Sequence, residues 1–273
     1  MKLPLILAAM ALLAAAPAAA QHENHGAPPP AAGAPEWTKL PTVSASLRGR
    51  MGAAIEVFNG AAFEATVTAP DGAATTLSLA DGKAAHKPAT GNYHLVTAVD
   101  ACDVHVATAS TAVYFPNPGD APTAILKAPR KGLTIMPERL PREHAAYRAG
   151  ETWRFVVTMD GQPFPGAKVR LETANGSRAE LVSDIDGTVD VTFPEDFPPR
   201  DQRPPEAHGR PVTAGFVVAA IHQTGTLQHI GAFNYSYRPG AFDGSSLATG
   251  AGFAVLGMVF AAPLLRRRKG GAK

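Results

Sequence analysis

Arg148-Ala-Gly-Glu-Thr-Trp-Arg-Phe-Val-Val-Thr-Met-Asp-Gly161, Gln162-Pro-Phe-Pro-Gly-Ala-Lys-Val-Arg-Leu-Glu172 and Ser183-Asp-Ile-Asp-Gly-Thr-Val-Asp-Val-Thr-Phe193 decide the fold. These runs of β-branched and aromatic residues are punctuated by Asp160-Gly161, Pro165-Gly166 and Asp186-Gly187. Asp and Gly enter the left-handed backbone region that tight turns between antiparallel strands use, so the pattern predicts hairpins. Along Thr152–Val157 a period of two places Trp153, Phe155 and Val157 on one face, the expected core face.

The same grammar extends to both sides. Downstream, Thr213–Gln223 and Leu227–Tyr237 read as a closing pair of strands around Thr224-Gly225-Thr226, and Leu133–Pro137 reads as a lead-in strand. Upstream, runs at 54–58, 63–68, 75–79, 93–99, 104–107 and 112–115 are separated by Asn59-Gly60, Asp71-Gly72, Asp81-Gly82 and Thr90-Gly91-Asn92. Strands and turns at this spacing predict a small immunoglobulin-like sandwich. The expected fold is therefore all-β: two tandem β-sandwich domains, 42–126 and 133–238, with a Pro-rich connection beginning at 116–122. The loop 194–211 is too long for a plain hairpin, and loops of that length are commonly functional.

The 26 glycines and 25 prolines suit many turns, and 45% hydrophobic with 18% charged residues suits a folded chain. Residues 1–20 read as a secretory signal peptide, with Lys2, an apolar segment from Leu3 to Leu13, and Ala18-Ala19-Ala20 before the cut. Residues 21–41 read as a Pro/Ala/His linker too poor in apolar side chains to order itself. Residues 246–265 carry no charge and precede Arg266-Arg267-Arg268-Lys269, which predicts one transmembrane helix with 266–273 as a basic cytoplasmic tail. The alternative for this segment is a sorting tail removed after export. The expected location is the periplasm, anchored in the inner membrane by the C-terminal helix, with the N-terminus outside. Removing five cations after the span and one in the signal from a formal net charge of +2 leaves −4 on the exported body. That balance gives no reason to expect nucleic acid.

Leu133-Thr-Ile-Met-Pro137, Tyr147-Arg-Ala-Gly-Glu-Thr-Trp-Arg-Phe155, Asp160-Gly-Gln-Pro-Phe-Pro-Gly-Ala-Lys-Val169, Ser183-Asp-Ile-Asp-Gly-Thr-Val-Asp-Val191 and Phe216-Val-Val-Ala-Ala-Ile-His222 resemble the C-terminal half of an exported bacterial family. That family is often labelled the substrate-specific region of nickel or cobalt uptake systems. Its Gly-x-Pro-x-x-Gly-Ala-x-Val and Asp-x-Asp-Gly motifs are shared with transthyretin-like and carboxypeptidase-regulatory-like sandwiches. The resemblance covers the second domain only. It implies a β-sandwich, an association with nickel or cobalt, and a metal transporter or outer-membrane receptor as partner.

Candidate chemistry is carried by histidines. With Gly225-Thr226 as the central residues of a type II′ turn, His222 and His229 pair directly and present two imidazoles to one metal. His208 in the long loop and His22 and His25 near the mature N-terminus are candidate further ligands, a donor set that suits Ni, Co, Cu or Zn. Asp184-Ile-Asp186-Gly187 resembles the opening of a calcium loop but lacks its distal glutamate, so a tight turn is the expectation. The single cysteine, Cys102, reads as a buried small hydrophobe, with a reactive or metal-binding thiol as the alternative. Read as one strand, Cys102–His105 sends the thiol and the imidazole to opposite faces, which leaves no dyad unless the strand is bulged. No nucleophile elbow, zincin helix or phosphate loop is present, and no enzyme is expected. Two functions are consistent with these readings: an envelope binding or accessory protein in transition-metal uptake, or a structural or adhesion-type sandwich module that docks other proteins.

Overall fold

The computed structural model describes residues 35–49, 52–62, 64–142, 145–203 and 211–241. The segments read as signal peptide (1–20), membrane span (246–265) and basic tail (266–273), and residues 21–34 of the stretch read as a linker, lie outside the described residues.

Among the described residues, sixteen strands, one short α-helix and one 3-10 turn (Arg200–Gln202) follow one another. The first half comprises β1 (Thr42–Leu47), β2 (Ala53–Phe58), β3 (Glu64–Thr68), β4 (Ala74–Ser78), β5 (Lys83–His86), β6 (Asn92–Ala101) and β7 (His105–Phe115). Helix α1 (Thr123–Lys127) lies in the connection. Then come β8 (Leu133–Pro137), β9 (Tyr147–Arg148), β10 (Thr152–Met159), β11 (Gln162–Pro163), β12 (Lys168–Thr173), β13 (Arg178–Val182), β14 (Thr188–Thr192), β15 (Ala214–Thr224) and β16 (Leu227–Arg238). The chain is all-β in class, and its sheets pack face to face as in a β-sandwich.

The turns follow from the residues that make them. Asp160 and Gly161 both take positive φ (52° and 79°), as a two-residue type I′ hairpin requires. Asp184 caps its own turn: Oδ1 accepts the N–H groups of Asp186 and Thr188 at 3.0 and 2.8 Å, and Oδ2 accepts the Thr188 hydroxyl at 2.7 Å. The hydrogen bonds from Thr188, above all its hydroxyl, hold the Asp184 carboxyl below its ordinary value. These carboxylate oxygens serve the turn, as a tight-turn reading expects.

One nine-stranded sheet runs through both halves of the chain in the order β13-β12-β15-β16-β7-β6-β3-β4, with β9 beside β16. The halves are joined where β16 pairs in parallel with β7, from Gln228↔His105 to Phe233↔Ser110. Two smaller sheets cover it. The N-terminal cover is β1-β2-β5, and the C-terminal cover is β11-β10-β14 with β8 on β10.

The covers lie on opposite faces of the shared sheet. Val96, Ala98, Ala109, Val113 and Phe115 form a buried cluster with Val43, Ile55 and Val67 of the first half. Phe216, Val218 and Ala220 of β15 and Phe233 and Tyr237 of β16 join Ile135, Phe155, Val157 and Val191 in another. Ala232 pairs with Ala109 across the parallel junction, and such neighbours point the same way. Phe233 and Tyr237 therefore project from the other face. Burying each phenylalanine ring contributes roughly 2–3 kcal/mol, so both clusters hold their covers firmly.

The uncovered part of each face is sealed separately. Ile125 and Leu126 of α1 lie against Tyr93, Leu95 and Ala112. Trp37 and Leu40 lie against Val217, Ala219 and Ala232, so the end of the stretch read as an unstructured linker is packed. Asn234 ties β1 to the shared sheet: its Oδ1 accepts the Val43 N–H and its Nδ2 donates to the Val43 carbonyl, each at 2.9 Å.

Trp153, Phe155 and Val157 face the core as expected. The runs 104–107 and 112–115 are one strand, β7, because the Ala-Ser-Thr stretch between them is buried and paired along its length. β5 and β13 were not legible as strands: Lys83-Ala-Ala-His86 and Arg178-Ala-Glu-Leu-Val182 are largely exposed, polar edges.

Candidate functional site

The hairpin β15–β16 has the anticipated register. His222 pairs with His229 and Thr224 with Leu227. Gly225 has φ +59° and Thr226 has no positive φ, the pattern of a type II′ turn. The two imidazole centroids are 6.3 Å apart with planes 30° from parallel. Phe164 meets His222 edge-on at 4.9 Å, which places the pair on the face of the C-terminal cover. His229 Nδ1 is buried with no hydrogen-bond partner among the described residues. Leaving such an atom unmet costs about 1–3 kcal/mol, a cost that a bound cation would remove. Two imidazoles suit Ni, Co, Cu or Zn. Among the described residues, however, no group of three or more His, Cys, Asp or Glu side chains could hold a metal ion. His208, His22 and His25 lie outside the described residues.

The expectation for Cys102 is overturned on both counts. Cys102 is exposed, and its Sγ lies 3.2 Å from His105 Nδ1. Residues 102–105 do not continue one strand. β6 ends at Ala101 and β7 starts at His105, and the Cys102 N–H donates to the His105 carbonyl at 2.9 Å. The chain thus reverses over Asp103-Val104, and residues 102 and 105 face each other across a two-residue connection. Across a hairpin, opposed side chains share a face, and so does the residue two positions back. That residue is Asp100, whose Oδ2 lies 3.1 Å from His105 Nε2.

Asp100 is itself held. The Ala61 N–H, from the segment after β2, donates to its Oδ2 at 2.9 Å. That bond first, and then the hydrogen bond and charge of His105, hold the Asp100 carboxyl below its ordinary value against partial burial. Carboxylate, imidazole and thiol are therefore aligned at an open hairpin end. The exposed side chain of Val104 (62%) stands beside them. Gln228 of β16 pairs with His105, so this end adjoins the hairpin that carries His222 and His229.

Two further polar groups escaped sequence reasoning. His94 is buried on β6, edge-on to Phe115 at 4.9 Å and 6.0 Å from His86. Burial first, with the nearby His86, pushes its imidazole below the ordinary value despite the Asn92 carbonyl. Asp196, at the start of the long loop, accepts the Tyr237 hydroxyl, the Asn175 amide at 3.2 Å and the Thr173 hydroxyl at 2.7 Å. Burial pushes this carboxyl up, but hydrogen bonds from Tyr237, Thr173, Ser177 and Asn175 outweigh it and hold it below its ordinary value. The first part of the loop 194–211 is thereby pinned to the body, with Phe197 against the Tyr237 ring at 4.9 Å.

No family model matches the chain. No curated protein matches it either. Among solved structures it is similar to a Ca2+-stabilised adhesin that helps an Antarctic bacterium reach out and bind ice, at 14% identity and a TM-score of 0.25. That match covers 74% of this chain and 49% of the adhesin chain. A second likeness, to a 1.5-MDa bacterial ice-binding adhesin, has 14% identity, a TM-score of 0.25, and covers 73% of this chain and 64% of that one. The chain thus spans about half of the first and just under two thirds of the second. A two-domain fibronectin type III segment from chicken tenascin is similar at 9% identity, covering 72% of this chain and 98% of that one, with a TM-score of 0.23.

Proposed function

We propose that this chain is a structural, adhesion-type β-sandwich module of the cell envelope that docks other proteins, exported by a cleaved signal and anchored through its C-terminal segment. One observation carries the reading. The parallel junction of β7 and β16 makes one sheet of both halves, and Asn234 bonds β1 to that sheet. Two sandwiches joined only by a linker would swing against each other, whereas a shared sheet transmits force and keeps a fixed spacing. Amide hydrogen exchange tests this. The amides of β7 and β16 should exchange only through global unfolding, with one common opening free energy. Exchange of one half while the other stays protected sinks the proposal.

A second reading, a transition-metal accessory protein of nickel or cobalt uptake, is favoured by the direct His222–His229 pairing and the unmet His229 Nδ1. Calorimetric titration of the exported chain with Ni(II) tests it. Loss of binding in His222→Ala and His229→Ala supports it, and unchanged affinity in both sinks it.

A further inference from the structure

We propose that Cys102 is a nucleophilic thiol that exchanges with disulfides. His105 is its base, Asp100 the positioning carboxylate, and the product a lasting mixed disulfide with a disulfide-bearing partner. The Sγ–Nδ1 distance of 3.2 Å and the Nε2–Oδ2 distance of 3.1 Å set out a nucleophile, a base and a group that orients the base. With Nε2–H donated to Asp100, Nδ1 presents its lone pair to the thiol. The Ala61 N–H fixes Asp100 in turn. Hairpin geometry, not a mobile loop, thus brings the three together.

The step balances without an outside oxidant. His105 Nδ1 takes the thiol proton, and the Cys102 thiolate attacks one sulfur of an exposed disulfide R–S–S–R′. The Cys102–S–S–R bond forms as the S–S bond breaks, and its electron pair leaves on R′–S⁻, which collects the proton from His105. One disulfide replaces another, so there is no net oxidation. Ordinary redox couples need a second, resolving thiol, and this chain has none, since Cys102 is its single cysteine. The mixed disulfide therefore persists until a thiol from outside this chain, the released R′–S⁻ included, attacks it. Such a product is a tether rather than a turnover intermediate. The open hairpin end, with Val104 exposed, leaves room for a partner as large as a protein.

The test is the rate of exchange of the reduced full chain with two disulfides: the small aromatic Ellman's reagent and the exposed interchain disulfides of insulin. The reference is an unstructured peptide with the sequence of residues 98–107. Wild-type Cys102 should react at least about 100-fold faster than the peptide, the low end of what a positioned base supplies. His105→Gln, with unchanged thermal unfolding, should bring the rate down to the peptide's. Asp100→Asn should lower it by a smaller factor and Asp100→Glu should restore it, which a merely structural carboxylate would not do. Acceleration with Ellman's reagent alone assigns a small-molecule partner, and acceleration with insulin as well assigns a protein. A wild-type rate no faster than the peptide's with either disulfide overturns the proposal, and this comparison holds even if a variant fails to fold.

Discussion

Replacing Asn234 by alanine removes the clamp between β1 and the shared sheet. Asn234 Oδ1 accepts from Val43 N, and Nδ2 donates to Val43 O, each at 2.9 Å. Val43 is fully buried (0% exposed), so water does not readily replace the lost partners. Alanine orphans one donor and one acceptor, each costing about 1–3 kcal/mol, for an expected loss of roughly 2–6 kcal/mol. The Thr111 hydroxyl bonds the Asn234 backbone carbonyl and survives the change. Asn234→Asp keeps the acceptor but turns an oxygen toward the Val43 carbonyl, so it should lose about as much. Equilibrium urea unfolding followed by Trp37 and Trp153 fluorescence reports on both faces of the shared sheet at its C-terminal half. The midpoint should fall with little change in slope, since the area exposed on unfolding is nearly the same. A loss under about 0.5 kcal/mol for the alanine variant would refute the clamp.

Three other perturbations probe the packing. His94 has a folded-state pKa below its unfolded value of about 6.5, so the unfolded chain binds the extra proton first as pH falls. Stability should drop as pH is lowered from about 7 through that value and level off below the folded pKa, by at most about 1.4 kcal/mol per pH unit. His94→Phe should flatten the profile, and an unchanged slope in that variant would contradict the assignment. At Gly231 an added Cβ would lie 2.5 Å from the Leu133 carbonyl oxygen and 2.7 Å from Thr134 Cα, where β8 crosses β16. Gly231→Ala should therefore cost at least about 1–3 kcal/mol in thermal or urea unfolding, because backbone rather than a side chain must yield. The Tyr147 hydroxyl is buried without a hydrogen-bond partner among the described residues. Tyr147→Phe should leave stability unchanged or raise it by about 1 kcal/mol, and a loss of more than that would mean the hydroxyl is satisfied.

How much was legible can be followed residue by residue. Trp153, Phe155 and Val157 announced their face because a strand with one wet side alternates. His222 and His229 could be paired in advance because the turn between them needs a residue with positive φ, and Gly225 is the one glycine there. Cys102 was misread for the converse reason. Asp103-Val104 lacks the glycine that accompanies Asp in the chain's Asp-Gly turns, so its turn signal is weaker, and a residue one step from a turn lands on the opposite face if the turn is missed. The Asp100-x-Cys102-x-x-His105 spacing was nonetheless the available signal, since two residues between partners is hairpin spacing. β5 and β13 stayed hidden because exposed edge strands carry the polar residues of loops.

By itself the amino-acid sequence determined what is local: an all-β chain, the positions of most strands, the Asp-Gly turns and the core face of β10. These are consequences of φ/ψ preference and period-two alternation, which act over a few residues. Only the tertiary structure decided that β16 lies parallel to β7, that the two covers take opposite faces of one sheet, and that Asn234 reaches Val43 across 191 positions. Such pairings are selected by which buried faces and backbone groups are left over once the local elements exist. No window of sequence contains both partners. The same holds for the line from Ala61 through Asp100 and His105 to Cys102, which exists only where a segment after β2 meets the end of a hairpin.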